Sequence, residues 1–405
     1  MDIRRNLVRS IAAAVFGCAA PACAAQAGVR EIPLSWPAPH RLMSALMEAP
    51  QAPVGDGMGG SHNGSTHEMV FVPEPAGGGA TLVVSGQNYD SIARIAPDGR
   101  VRFVAMPPGS RPHGLGLDRD GLLWVTLEYA GRVVAFDRGG NRVRNVDVRL
   151  DCGACPDPIN THPHGLGVAA DGRTIWVTGK ATGTVSRIAA DGSVATYALP
   201  TVGSLPIYIR PGPDPASPRG QAGRETMWVT ELTGNAVAAI SVGPGRRPRA
   251  AVREFPIPTP NSRPIAIERG PDGLMWFSEE AGGKVARVEP DGSIAEFAIP
   301  TPAGRPPMLL AALAFDAGGN LWVQQYVDHA HPDPNMADRL VRISGAVLKA
   351  PAAPLPPDAF TCFPVPTRDT VMHRIVAGPD GAMWFTELNA DKAGRVDPNA
   401  PGTAC

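Results

Sequence analysis

The chain has 405 residues, with 37 lysines and arginines against 38 aspartates and glutamates, a formal net charge of −1, and 43% hydrophobic residues. So even a charge balance excludes the basic footprint expected of a nucleic-acid binder or of a protein drawn to anionic membranes. The length alone would allow two or more domains, a prior that the internal repeats described below overrule in favour of one.

Taken in chain order, residues 1–24 read as a secretory signal: Arg4, Arg5 and Arg9, an apolar stretch from Ile11 to Ala20, and the small-residue site Ala22-Cys23-Ala24. The apolar core is too short to span a bilayer. Its removal takes away three arginines and one aspartate and moves the net charge from −1 to −3. A lipoprotein alternative through Cys18 or Cys23 lacks a Leu-containing lipobox. Export places the mature chain, residues 25–405, in the periplasm or outside the cell, where disulfides persist. Pairing in sequence order is expected, Cys152 with Cys155 and Cys362 with Cys405; a redox or metal role for the CGAC pair is the alternative.

Val29 to Trp36 (VREIPLSW) resembles the later strand Val252 to Pro258 (VREFPIP), while the last repeat ends at Asp397 without an outer strand. The N-terminal strand is therefore expected to complete the last repeat and leave no inner edge unpaired. Residues 40–66 carry no repeat pattern and read as a loop crossing one face.

From there a single phrase recurs. Its fullest form is RPHGLGLDRDGLLWVTLEYAGRVVAF from Arg111: an apolar run after Pro112-His113-Gly114, the Asp120-Gly121 turn, the run Leu122 to Thr126, and a third run to Phe136. Asp-Gly between two apolar runs is a hairpin signal because both residues tolerate positive φ. The phrase returns from Thr161, Arg263 and Met372, in drifted form around Trp228 and Trp322, and from Thr81 with Val83 in place of tryptophan. Trp124, Trp176, Trp228, Trp276, Trp322 and Trp384 are spaced by 52, 52, 48, 46 and 62 residues. A period near 45 with four short strands each indicates a β-propeller rather than a helical solenoid. The fold expected is all-β: one seven-bladed propeller, four antiparallel strands per blade, monomeric. Blade four carries the insertion PGPDPASPRGQAGR between its first two strands and the basic loop from Gly245 to Arg249 between its last two; blade six carries YVDHAHPDPNMADR between its second and third.

Inner strands of a propeller line a central tunnel, so residues at the start of strand one and the end of strand two converge at its mouth. His113 and His373 lie eleven residues before their tryptophans and His164 twelve; His67 takes the same place in blade one once the AGGGA insertion is looped out, and Tyr208 is the counterpart in blade four. Three or four residues past the tryptophan come Glu128, Glu231, Glu279, Glu280 and Glu387. Imidazoles and carboxylates meeting at one mouth can bind a divalent cation or exchange protons; the plainer alternative is that they cap strands and satisfy buried backbone groups. The repeats single out no phosphate-binding loop, nucleophile elbow or Ser-His-Asp arrangement.

The phrases RPHGLG, GPDGLMWFSEE, GGKVARV, EFAIPTP and GPDGAMWFTEL, spread over about residues 80–398, resemble those of the streptogramin B lyases, also called virginiamycin B lyases. The resemblance implies a seven-bladed, magnesium-dependent enzyme that opens a cyclic depsipeptide by elimination, with a histidine base and glutamate-held metal. Carried onto this sequence, it makes His113 the base, Glu128 a metal ligand, and His67 or His164 the group that polarises the substrate. Arg111 stands where a second acidic ligand is expected, and in blade three His162 stands two before His164 while Lys180 replaces the glutamate. Two other functions share these features: a non-enzymatic periplasmic propeller that binds a small molecule or protein on the histidine face, and a lactonase-type hydrolase.

Overall fold

The structure, a computed structural model, describes residues 28–37, 64–74, 77–216, 224–245, 248–351 and 353–405. The secretory segment expected at 1–24 and most of the 40–66 stretch lie outside the described residues.

Seven four-stranded antiparallel sheets form in succession. Six are built from consecutive strands, and the seventh has the order Val29–Pro33, Lys392–Val396, Met383–Glu387, Met372–Ala377 from outside inward. The N-terminal strand thus closes the ring as its sequence suggests, Val29 opposite Val396 and Pro33 opposite Lys392. Lys392 Nζ donates to Glu31 Oε2 at 2.6 Å. Asp391 then fastens this last blade to the first by accepting from the Ser65 amide at 2.8 Å, the Thr66 hydroxyl at 3.0 Å and the Tyr89 hydroxyl at 3.0 Å.

The repeated tryptophan sits on the second strand and performs two tasks. In blades three to six its ring lies against an aromatic of the fourth strand of the same blade, as in Trp228 with Phe255 at 5.1 Å and Trp276 with Phe297 at 5.6 Å; offset aromatic contact adds to the burial of both rings. In blades two, five, six and seven its indole N–H donates to the aspartate of the preceding turn, as in Trp124 to Asp118 and Trp322 to Asp316, each at 2.8 Å, while Trp228 donates to the Pro213 carbonyl at 2.9 Å and Trp176 to Glu225 of the next blade. Asp118 also caps its turn by accepting from the Asp120 and Leu122 amides, each at 2.9 Å, and Gly121 takes the φ of 83° that the turn requires. One Asp-x-Asp-Gly…Trp phrase therefore specifies a hairpin, its turn and its packing partner.

The blade-six segment falls between the second and third strands expected, while parts of the blade-four insertion and of the basic loop lie outside the described residues. Both disulfides form as paired in sequence, Cys152 with Cys155 and Cys362 with Cys405, at Cα separations of 5.6 and 5.2 Å. A single α-helical turn, Gly345–Leu348, interrupts the β pattern in blade six. Among the described residues no helix is long and apolar enough to cross a membrane.

Candidate functional site

Each inner strand shifts register near its start, after one paired residue in every blade but the sixth, where three pair first. In blades one, two, three and seven that shift begins after Thr66, Pro112, Pro163 and Met372, and the next residue is histidine every time. A bulge re-aims the side chain that follows it. Here it sends His67, His113, His164 and His373 into the tunnel at one height, all buried. Ring centroids lie 5.0 Å apart for His67 and His113, 5.0 Å for His67 and His373, 5.3 Å for His113 and His373, and 3.7 Å for His113 and His164.

Two features that sequence reading passed over bring the rings so close. Glycine follows the histidine in blades two and three, and a Cβ on Gly114 would sit 2.3 Å from the carbonyl oxygen of His164; only glycine lets those inner strands approach so nearly. Threonine stands two residues after the tryptophan. Thr126 accepts from the Gly114 amide at 2.6 Å and donates to the His164 carbonyl at 3.0 Å, and Thr386 accepts from Arg374 at 2.9 Å and donates to the His67 carbonyl at 2.8 Å. Each hydroxyl ties its own inner strand to the backbone of the histidine in the next blade. The recurrent Trp-x-Thr triplet was the available signal.

Backbone contacts also set tautomers. His164 Nδ1 lies 3.0 Å from the Ile207 carbonyl, and His67 Nδ1 lies 2.8 Å from that of Ser65. A carbonyl only accepts, so both Nδ1 atoms carry the proton and both Nε2 atoms are the basic nitrogens. Burial first, then the Lys180 ammonium, pushes the His164 pKa down to about 4. Burial followed by the His164, His67 and His373 rings holds His113 well below the usual imidazole range. Both rings are therefore uncharged at neutral pH.

Above this layer, Glu128 joins three blades. Gln87 Nε2 donates to its Oε2 at 2.5 Å, while Lys180 Nζ and His162 Nδ1 stand 3.6 and 3.7 Å from its Oε1. Burial would raise this carboxyl, but Lys180 foremost and His162 hold it well below the usual carboxylate range. The expected role of Glu128 as a magnesium ligand does not suit these surroundings: an ammonium and an amide donor already face its oxygens, and Arg111 lies against the Tyr129 ring at 4.4 Å. Among the described residues no group of three or more His, Cys, Asp or Glu is placed to hold a metal ion.

Below the histidines a charged network crosses the tunnel. Glu68 approaches Arg374 at 3.4 Å and His373 at 3.5 Å; Glu268 approaches Arg374 at 3.5 Å and Arg210 at 2.9 Å. Burial works against ionisation of Glu68, yet Arg374, the His373 hydrogen bond and Arg210 bring its pKa down to about 2. Tyr208 lines the same cavity, its hydroxyl accepting from Arg210 Nη2 at 2.6 Å. It stands one residue beyond the histidine position, which in blade four belongs to Ile207, because Pro206 and not Ile207 pairs with Glu231 before the register shifts.

The remaining carboxylates separate into two sets. Glu280, like Glu128, is the fourth residue after its tryptophan and reaches the mouth, where it accepts from Tyr326 Oη and Arg263 Nε, each at 2.6 Å. Glu231, Glu279 and Glu387, each the third residue, are not brought to the histidines. Successive strand residues face opposite ways, and these turn toward strand-four glutamates of their own blades: Glu254, Glu296 and Glu31. Burial and those neighbours raise all three to about 8.

Residues 152–331 match the model of the virginiamycin B lyase family. A virginiamycin B lyase of Nocardia farcinica is 30% identical over 210 residues, which are 50% of this chain and 63% of the relative. That match spans less than two thirds of the relative's length. Among solved structures, a streptogramin B lyase superposes with a TM-score of 0.65 at 21% identity, covering 92% of this chain and 99% of that one. A catalytically inactive histidine-to-alanine variant of virginiamycin B lyase from Staphylococcus aureus, with quinupristin, superposes with a TM-score of 0.63 at 22% identity, covering 91% and 98%. The chain is thus a seven-bladed propeller that resembles the virginiamycin B lyase family.

Proposed function

We propose, with that resemblance as the premise, that the chain is a carbon–oxygen lyase acting on a cyclic or otherwise ester-containing small molecule at the histidine mouth. The observation that carries the reading is the buried group of four imidazoles, with centroid separations from 3.7 to 5.3 Å, beneath a rim that bears both carboxylate and ammonium groups.

In this reading His113 removes the proton α to a carbonyl, its electron pair becomes a carbon–carbon double bond, and the ester oxygen leaves with the C–O pair as a carboxylate. The polarising role expected of His67 or His164 does not suit this tautomer, because the Nδ1 proton of each is taken by a backbone carbonyl and Nε2 has none to donate. Burial keeps the base uncharged, and general-base catalysis of this kind contributes about 10²–10⁴-fold. No step is assigned to magnesium, since Glu128 is already engaged by Lys180 and Gln87. The protein is placed outside the cytoplasm, its two disulfides fitting an oxidising compartment, and it acts as a monomeric single domain of residues 25–405.

The test is intact-mass analysis of a streptogramin B antibiotic after incubation with the protein. Elimination yields a linear isomer of unchanged mass at a new chromatographic retention time, hydrolysis adds one water, and binding without conversion returns the substrate at its original retention time. Only the first outcome supports the lyase. The variant His113→Ala is expected to keep the wild-type melting profile and lose turnover, and an active variant would remove His113 from the base's role.

A further inference from the structure

The geometry points to Lys180 as a built-in electrophile: we propose that its ammonium supplies, within the lyase reaction proposed above, the positive charge that a divalent cation would otherwise bring. The inference rests on that reading and adds the residue that receives the developing negative charge.

Lys180 follows directly on the second strand of blade three, Ile175–Gly179, and its amide is held by the His162 carbonyl at 3.2 Å. It is only 7% exposed. The same position around the ring is occupied by Gln87, Glu128, Leu232, Glu280, Tyr326 and Leu388, so blade three alone places a cation there. The other cations of the rim are committed elsewhere. Arg263 donates to Glu280 at 2.6 Å, and Arg111 lies on the Tyr129 ring at 4.4 Å.

Lys180 differs in how loosely it is held. Its Nζ stands 3.6 Å from Glu128 Oε1, an ion pair too long to be a hydrogen bond. The ammonium therefore keeps N–H donors to direct at an oxygen entering the mouth, while Glu128 keeps the cation fixed in a buried place. Its charge bears on the His164 and His113 imidazoles, the layer where the proton would be removed. A cation held ready in a dry site stabilises a developing oxyanion without reorganisation. The step balances with lysine protonated throughout. The α proton passes to imidazole, its bonding pair becomes the double bond, the ester oxygen keeps the C–O pair, and the ammonium faces the carbonyl oxygen on which charge accumulates.

The experiment measures turnover of a streptogramin B antibiotic by the full mature chain, with and without EDTA and added Mg²⁺, for wild type, Lys180→Arg, Lys180→Met and the double variant Glu128→Gln/Lys180→Met. Wild type should be indifferent to EDTA. Lys180→Met should lose about 10²–10³-fold in kcat, the usual effect of removing one oxyanion donor, and Lys180→Arg should recover part of it. The double variant removes both charges and so leaves no uncompensated buried carboxylate; it should stay as slow as Lys180→Met. Recovery in the double variant would show that Lys180 only neutralises Glu128 and would overturn the proposal, as would wild-type activity lost to EDTA and restored by Mg²⁺. An inactive wild type would instead sink the lyase reading on which the inference stands.

Discussion

At the scale of single residues, the site depends on imidazoles kept uncharged by burial and by one another. With His164 lowered to about 4 and His113 held well below the usual imidazole range by burial and its neighbouring rings, the acid limb of kcat/KM should lie well below the ordinary histidine range, leaving activity flat from neutrality down to roughly pH 5. A pH–rate profile that fell between pH 7 and 6 would contradict this. The Trp-x-Thr hydroxyls are equally specific. Thr126→Val removes an acceptor for the Gly114 amide and a donor to the His164 carbonyl, stranding two buried backbone groups; chemical denaturation should show a loss of about 1–3 kcal/mol. His113, His164 and His373 could be found from sequence because the hairpin nearly fixes their distance to the tryptophan, and His67 once the insertion before Val83 is looped out. The carboxylates could not be sorted the same way, since one residue's difference along a strand reverses the face. Tyr208 was displaced for a related reason: the long blade-four insertion removes the fixed count back from Trp228.

At the scale of elements, the ring is closed where the N-terminal strand meets the last blade. Residues 29–33 supply the outer strand of blade seven, and Glu31 is its main polar tie, accepting from the Thr367 amide at 2.8 Å and from Lys392. Deleting residues 25–36 from the mature chain should expose the edge at Lys392–Val396 and lower the denaturant midpoint of the whole domain, because a ring melts as one unit. A truncation that unfolded like the parent would show that the ring is held elsewhere. The second disulfide reinforces the same region, joining Cys362 of the blade-six outer strand to the last residue of the chain. The closing strand was legible in advance because VREIP copies VREFP.

At the scale of the whole molecule, buried charge sets a pH window. Glu231, Glu279 and Glu387 have folded pKa values raised to about 8, so between about 4.5 and 8 the folded state holds protons that the unfolded chain releases; the stability they contribute is full at acid pH and is lost as pH rises through that interval. Glu68 and His164 act in the opposite sense. Their folded values are lowered to about 2 and about 4, and the stability they give is lost as pH falls, from about 6.5 toward 4 for the imidazole and from about 4.5 toward 2 for the carboxylate. The triple variant Glu231→Gln/Glu279→Gln/Glu387→Gln, neutral at every pH, should lose the alkaline decline between pH 6 and 8 while keeping the acid one. Thermal melts across that range decide the matter, and an unchanged alkaline slope would mean that these carboxyls are not protonated in the fold.

The sequence by itself determined the propeller, its seven blades, the closing strand and the gathering of four histidines, because each follows from a local period or a repeated phrase. Tertiary structure alone decided what surrounds those histidines. The pairing of Lys180 with Glu128, the Glu68–Arg374–Glu268–Arg210 network beneath, and the turning of three glutamates into their blades all join residues of different strands or blades. Such contacts depend on which way each side chain faces after the inner-strand register shift, and no period along the chain records that.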